Sequence, residues 1–132
     1  MIREEIPNML QASPRPGYGS GWNTPVKLPA VESWIHAARA TGVRSILVLL
    51  DEQHLGLYGS LPDGLLAVYR AAGFEVAHIS VVEYANPPLN AEQLQRLEQH
   101  FARLPKPVLI HCSAGVVRTG AAVAHLREVL GQ

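Results

Sequence analysis

From residue 29 onward, apolar residues recur in two alternating rhythms. Between Ala30 and Thr41, the residues Val31, Trp34, Ile35 and Ala38 fall at helical spacing, with Pro29 at the start and Gly42 just past the end, which predicts a helix. Val43–Leu50 (VRSILVLL) is almost continuously apolar and rich in β-branched residues, the pattern of a strand buried on both faces. A loop with turn residues Gly56, Gly59 and Pro62 follows. A second helix is predicted over Leu65–Ala72, stopped by Gly73, and a second strand over Phe74–Val82. Asn90 with Gln93 three residues on reads as a helix start, and Leu94, Leu97, Phe101 and Leu104 form that helix's stripe. Pro105 and Pro107 punctuate, Val108–His111 is a short strand, and Arg118–Leu130 closes as a helix. The first residues differ. The run SPRPGYGSGWNTP reads as a loop preceded by at most one short strand near Asn8–Gln11.

Alternating helices and strands predict an α/β fold: a central, mostly parallel sheet of four to five strands flanked by helices. One domain is expected over residues 1–132, with a loop-rich segment at 1–28 and the α/β core at 29–132. The length of 132 residues suits one domain and buries a core without a disulfide or metal staple. A composition 48% hydrophobic and 17% charged excludes a disordered chain. Eleven basic residues balance eleven acidic ones, so neither a nucleic-acid nor an anionic-membrane partner is expected. The single cysteine excludes an intramolecular disulfide and a multi-cysteine zinc site, and the six histidines show no i,i+4 pair; no metal and no cofactor is expected. The start MIREEIPNMLQ lacks the apolar segment of a secretory signal, and no apolar run is long enough to span a bilayer. A cytoplasmic protein, monomeric or weakly homodimeric, is the expectation.

Chemistry concentrates in Pro107–Gly120, PVLIHCSAGVVRTG. A buried strand runs into a loop of small residues and then a helix, so several backbone N–H groups and the positive end of the helix dipole converge on one point. Such a point suits a tetrahedral oxyanion. Cys112 stands at the loop's entry and Arg118 at its exit, with five residues between them. Wrapped around a phosphate, that spacing puts sulfur beneath phosphorus and the guanidinium beside two equatorial oxygens. The same N–H groups and the arginine lower the cysteine pKa and make a thiolate nucleophile. Alone, a cysteine is usually a small buried hydrophobe and an arginine a surface charge; the string makes the difference.

His111-Cys112-x5-Arg118-Thr119-Gly120 resembles the signature of the cysteine-dependent protein tyrosine and dual-specificity phosphatases. The likeness extends over roughly residues 20–130, to the small microbial dual-specificity type. It implies that Cys112 attacks the phosphate monoester to form a phosphocysteine, that Arg118 binds the phosphoryl oxygens, and that Thr119 helps the thiolate leave. Thr119 as no more than a helix N-cap is the equal alternative. His111 would brace the loop, and Ser113, Ala114, Gly115, Val116 and Val117 would contribute backbone N–H groups to the phosphate. Val117 stands where many relatives have glycine. Larger relatives place a water-positioning glutamine in helices beyond the position of Leu130. None of Gln93, Gln95 and Gln99 clearly replaces it, so slow hydrolysis of the intermediate, or water held by Glu83 and the backbone, is expected.

Leaving-group departure needs a carboxylic acid. In SVVEYANPP, the position matching the family's aspartate holds Glu83, one methylene longer. Topology points the same way, because ligands gather beyond the carboxyl ends of parallel strands, where Glu83, Cys112 and the pair Asp51-Glu52 all fall. Asp51 or Glu52 could orient Arg118 or serve as the acid instead; Asp63, or no dedicated acid, are further alternatives. The loop between Cys112 and Arg118 has no lysine, which speaks against a polyanionic phosphoinositide. Tyr18, Trp22, Phe74 and Tyr84 are candidate walls for an aromatic ring. The expected partner is a phosphorylated protein or peptide, with phosphotyrosine favoured. The competing readings are a phosphopeptide-binding pseudophosphatase and, less well matched by the five-residue interval, a rhodanese- or arsenate-reductase-like thiol enzyme.

Overall fold

The computed structural model describes residues 1–21 and 24–132. Five strands, β1 (Arg3–Ile6), β2 (Leu10–Ser13), β3 (Ser45–Val48), β4 (Glu75–His78) and β5 (Val108–His111), form one sheet in the order β1-β2-β5-β3-β4. The β1–β2 pair is antiparallel, and the β2–β5, β5–β3 and β3–β4 pairs are parallel. Register aligns Ser13 and Val48 with His111, and His78 with Val48, so the four parallel strands end on one line. The residues that follow those ends form the site.

The helices are α1 (Leu28–Ala40), α2 (Glu52–Leu55), α3 (Gly64–Ala71), α4 (Ala91–Arg103) and α5 (Val117–Val129). The strand alternation of side chains sorts the core into two layers. Ile46 and Val48 of β3 meet Val31 and Ile35 of α1 and Leu65 and Tyr69 of α3 on one face. Leu47 of β3 and Val108 and Ile110 of β5 meet Leu97 and Phe101 of α4 and Val123 and Leu126 of α5 on the other. Burial on both faces explains the unbroken apolar runs of β3 and β5, and each fully buried Leu or Ile contributes roughly 2 kcal/mol. The capping box that starts α4 is complete, with Asn90 and Gln93 exchanging bonds of 2.8 Å.

Several expectations are corrected. The start of the chain holds a two-strand hairpin rather than at most one strand, turning at Asn8 in a left-handed conformation (φ 64°). Its outer strand, Arg-Glu-Glu-Ile, exposes Arg3 and Glu4 and buries only Ile6; charge protects a sheet edge and hides the apolar alternation that would have announced the strand. The strands expected over Val43–Leu50 and Phe74–Val82 have ladders of four residues each, although Leu49, Leu50, Ile79 and Val81 beyond them remain buried. The loop expected after β3 contains α2. Among the described residues no helix is long and apolar enough to cross a membrane.

Candidate active site

Strand β5, flanked by β2 and β3, delivers Cys112 to the carboxyl edge of the sheet, and the loop then turns into α5. The N-cap of α5 is Val116, which makes no side-chain cap, so the first turn keeps N–H groups for an anion. Thr119 therefore lies inside the helix, and its reading as the cap is overturned. Gly115 has φ +76°, and a Cβ there would fall 2.7 Å from the Ser13 carbonyl oxygen and 2.8 Å from the Pro14 nitrogen. Only glycine fits this close approach. The hairpin holds the loop at further points: Arg3 Nη2 donates to the Gly115 carbonyl (2.6 Å), and the Arg15 backbone N–H to the Ser113 carbonyl (2.8 Å).

Cys112 is only 2% exposed. Burial alone would push its thiol pKa up, but the Thr119 hydroxyl, the Thr119 N–H, the Arg118 guanidinium and the Gly115 N–H outweigh it and bring the thiol below its ordinary value. The Thr119 hydroxyl is fully buried, has no hydrogen-bond partner among the described residues, and lies close enough to the Cys112 sulfur to lower its pKa. Arg118 is buried and donates from Nη1 to the Val81 carbonyl (2.9 Å), with a longer contact to the Leu49 carbonyl (3.5 Å). Backbone from beyond β3 and β4 thus fixes the guanidinium. Neither Asp51 nor Glu52 makes an ion pair or hydrogen bond with Arg118; the carboxylate beside the guanidinium is that of Glu83.

His111 is fully buried. Its Nδ1 lies 3.0 Å from the Cys112 carbonyl and its Nε2 lies 2.9 Å from the Tyr69 hydroxyl. A carbonyl only accepts, so Nδ1 carries the proton and Tyr69 donates to Nε2. Burial, further aided by the charges of Arg15 and Arg118, lowers its pKa to about 4. The neutral ring links the backbone at Cys112 to α3 and packs edge-on against Trp34 and Tyr69.

Glu83 follows β4, with its Oε2 3.6 Å from Arg118 Nη2 and 3.7 Å from His54 Nε2. Tyr84, immediately after it, adopts a left-handed conformation (φ 66°), unusual for a bulky residue and a local strain at the turn that carries Glu83. Asp51 caps α2 by accepting the His54 N–H (3.0 Å) and makes a longer contact with the Glu83 N–H (3.4 Å), so it ties the two loops together. Glu52 is exposed in the first turn of α2. Asp63 is exposed ahead of α3 and does not line the cavity. Burial is the main cause that lowers the His54 pKa, opposed by Glu83 and Asp51 and aided by Arg118.

These groups open on a cavity of about 200 Å³ lined by Cys112, Ser113, Ala114, Val117, Arg118, Glu83, Tyr84, Ala85, Pro88 and Tyr18. Tyr18 and Tyr84 are therefore at the cavity, as candidate walls. Phe74 instead packs in the core layer of α1 and α3, and Trp22 lies outside the described residues. Exposed Val116 and Val117 give the loop an apolar outer surface. Gln93 is committed to the cap of α4 and to the Ser80 carbonyl, away from the cavity. Two buried residues here had no place in the sequence reading, His54 and Arg15. His54 had a weak signal, since it follows the end of a parallel strand; Arg15, in a proline-rich run, had none.

No curated protein matches the sequence. Among solved structures the chain is similar to the core catalytic domain of the PP-IP phosphatase SIW14 from S. cerevisiae, determined in complex with citrate (TM-score 0.66, 17% identity, covering 99% of this chain and 67% of that one). It is similar to Tk-PTP in its active form (0.64, 22%, 99% and 75%) and to the Cydia pomonella PTP-2 phosphatase (0.64, 19%, 99% and 71%). These likenesses establish the fold. The family model described as "Tc-R-P: Polymorphic toxin system, DSP-PTPase phosphatase" matches residues 20–131, which contain the loop from Cys112 to Arg118, and the chain belongs to that phosphatase family.

Proposed function

We propose that this phosphatase hydrolyses phosphate monoesters through a phosphocysteine on Cys112, and that its substrate is a phosphorylated protein or peptide, with phosphotyrosine favoured. The observation that carries the reading is the setting of the sulfur: nearly inaccessible, at the edge of a small cavity, yet with its pKa brought down by Thr119, Gly115 and Arg118 against the effect of burial. A buried thiol used only for packing would have its pKa raised.

In the first step the Cys112 thiolate attacks phosphorus. The P–S bond forms as the P–O bond to the leaving group breaks, and the Glu83 carboxyl gives its proton to the departing oxygen. The phosphoryl oxygens are held by Arg118 and by loop N–H groups from Ser113 to Val117. Glu83 rests beside the Arg118 guanidinium; a bound phosphate dianion competes for that cation and frees the carboxyl to face the leaving oxygen. In the second step the Glu83 carboxylate takes a proton from water, the water oxygen attacks phosphorus, and the thiolate leaves towards the Thr119 hydroxyl. His111 holds the Cys112 carbonyl in place. A reducing compartment such as the cytoplasm suits an enzyme that depends on one thiol.

Two observations support a phosphotyrosine side chain over a polyanionic substrate such as the one named for SIW14. Ser113–Val117 carries no cation, and the cavity walls include Tyr18, Tyr84, Pro88 and Val117. The test is hydrolysis of p-nitrophenyl phosphate and of a phosphotyrosine peptide in excess EDTA by the wild type, Cys112→Ser and Glu83→Gln. Wild-type activity lost in Cys112→Ser, with a further dependence on Glu83 of about 100-fold that is larger for the peptide, is expected. No wild-type turnover with phosphopeptide still bound would replace this reading with that of a binding module.

A further inference from the structure

Behind the phosphate loop stands a buried positive charge with no counter-charge. Arg15 follows β2 and is 3% exposed. Its Nε donates to Ser113 Oγ (3.0 Å) and its Nη1 to the Tyr58 hydroxyl (3.3 Å). Its guanidinium lies 5.7 Å from the Tyr18 ring centre and 6.0 Å from that of Tyr58. Among the described residues no carboxylate forms an ion pair with it, and the remaining two, Trp22 and Asn23, carry no carboxylate. Arg118, by contrast, has Glu83 nearby.

A guanidinium taken out of water without an anion is costly, and an apolar side chain of similar volume in its place is often neutral or stabilising. Packing therefore gives no reason for a charge here; an anion that arrives from outside the chain does. The catalytic cavity is where such an anion would sit. Ser113, which Arg15 holds, and Tyr18, against which it packs, both line it. The charge also reaches the surrounding site, since Arg15 helps to lower the pKa of both His54 and His111.

We propose that Arg15 is a positioning residue of the phosphate site: a second cation that holds Ser113 from behind the loop and strengthens binding of a phosphate dianion without touching it. Because Ser113 Oγ accepts from Arg15, the hydroxyl proton is left free to be donated towards the cavity. The residues matched by the family model begin at 20, so Arg15 lies outside the stretch on which family membership rests. This inference depends on the reading of the Cys112 loop as a phosphate site.

The test compares the wild type with Arg15→Met, Arg15→Gln and Arg15→Lys in three measurements. These are the affinity for inorganic phosphate by calorimetry, the thermal midpoint, and the ratio of Cys112 alkylation rates by iodoacetate and iodoacetamide. The ratio reports the potential at the sulfur, because the two reagents differ in charge. Arg15→Met is expected to bind phosphate about tenfold more weakly and to lose preference for iodoacetate, while melting no lower than the wild type. Arg15→Lys is expected to restore most of both. Unchanged phosphate affinity in Arg15→Met or Arg15→Gln overturns the proposal. So does a loss that Lys does not restore, or failure of both neutral variants to fold, since each makes Arg15 a structural prop. A wild type that binds no phosphate and shows no preference for iodoacetate would instead overturn the phosphate reading beneath it.

Discussion

The two ends of the chain meet at the loop from Cys112 to Arg118 and serve it in different ways. The C-terminal string from His111 to Thr119 is contiguous and supplies the thiol, the guanidinium and the hydroxyl that face one another. The N-terminal hairpin supplies none of these. It contributes the Ser13–Pro14 backbone against Gly115 and the donors Arg3 and Arg15, which reach partners 112 and 98 positions away. The groups that the proposed reaction uses thus come from one short segment, while the shape that holds them comes from distant sequence.

The comparison can be broken first on the C-terminal side. Cys112→Ser should lower turnover by about 10,000-fold or more while phosphate affinity and melting temperature stay near the wild-type values, as calorimetry and thermal melts would show. A drop in stability of similar weight to the drop in rate would mean that the string is a structural element first.

Gly115→Ala tests the point where the two regions touch. The added methyl meets backbone on the hairpin and the residue must keep a left-handed φ, so a loss of about 3 kcal/mol in urea unfolding is expected, together with loss of activity. A variant as stable and active as the wild type would show that the hairpin does not constrain the loop.

An effect of similar size follows from His111. Unfolded, it takes up a proton near its ordinary pKa of 6.5; folded, burial holds it to about 4. Between those values the unfolded chain binds a proton that the folded one rejects. The stability is therefore complete above about pH 6.5 and falls as the pH drops towards 4, by about 3 kcal/mol in all. Urea midpoints across that window should show the slope, and His111→Asn should flatten most of it. The smallest effect is expected for Arg3→Ala. It removes one half-exposed hydrogen bond to the Gly115 carbonyl and should cost about 1 kcal/mol or less, with turnover within about threefold of the wild type.

What the sequence made legible follows the same division. Strands β3 and β5 and helix α4 are visible because each concentrates apolar residues at its own period, and the motif is visible because its residues are adjacent. Strand β1 is hidden by its charges. Helix α2 is too short for a period to show, and with it His54 escapes notice. Glu83 is legible from its position in SVVEYANPP, which matches the family's aspartate, and from topology, because the carboxyl ends of parallel strands share one edge. Asp51 reaches the same edge, but its contacts with the His54 and Glu83 N–H groups depend on how two loops pack. Arg15 depends on a pairing across nearly the whole chain, which no window of sequence displays.

The most direct test of the account is acid quenching of the enzyme during turnover of p-nitrophenyl phosphate, followed by mass spectrometry of the peptide that carries Cys112. The account predicts a phosphoryl group on that cysteine in the wild type and none in Cys112→Ser, with more of it trapped if Thr119→Ala slows departure of the thiolate. Turnover by the wild type with no phosphoryl group ever found on Cys112, or turnover that persists in Cys112→Ser, would contradict it.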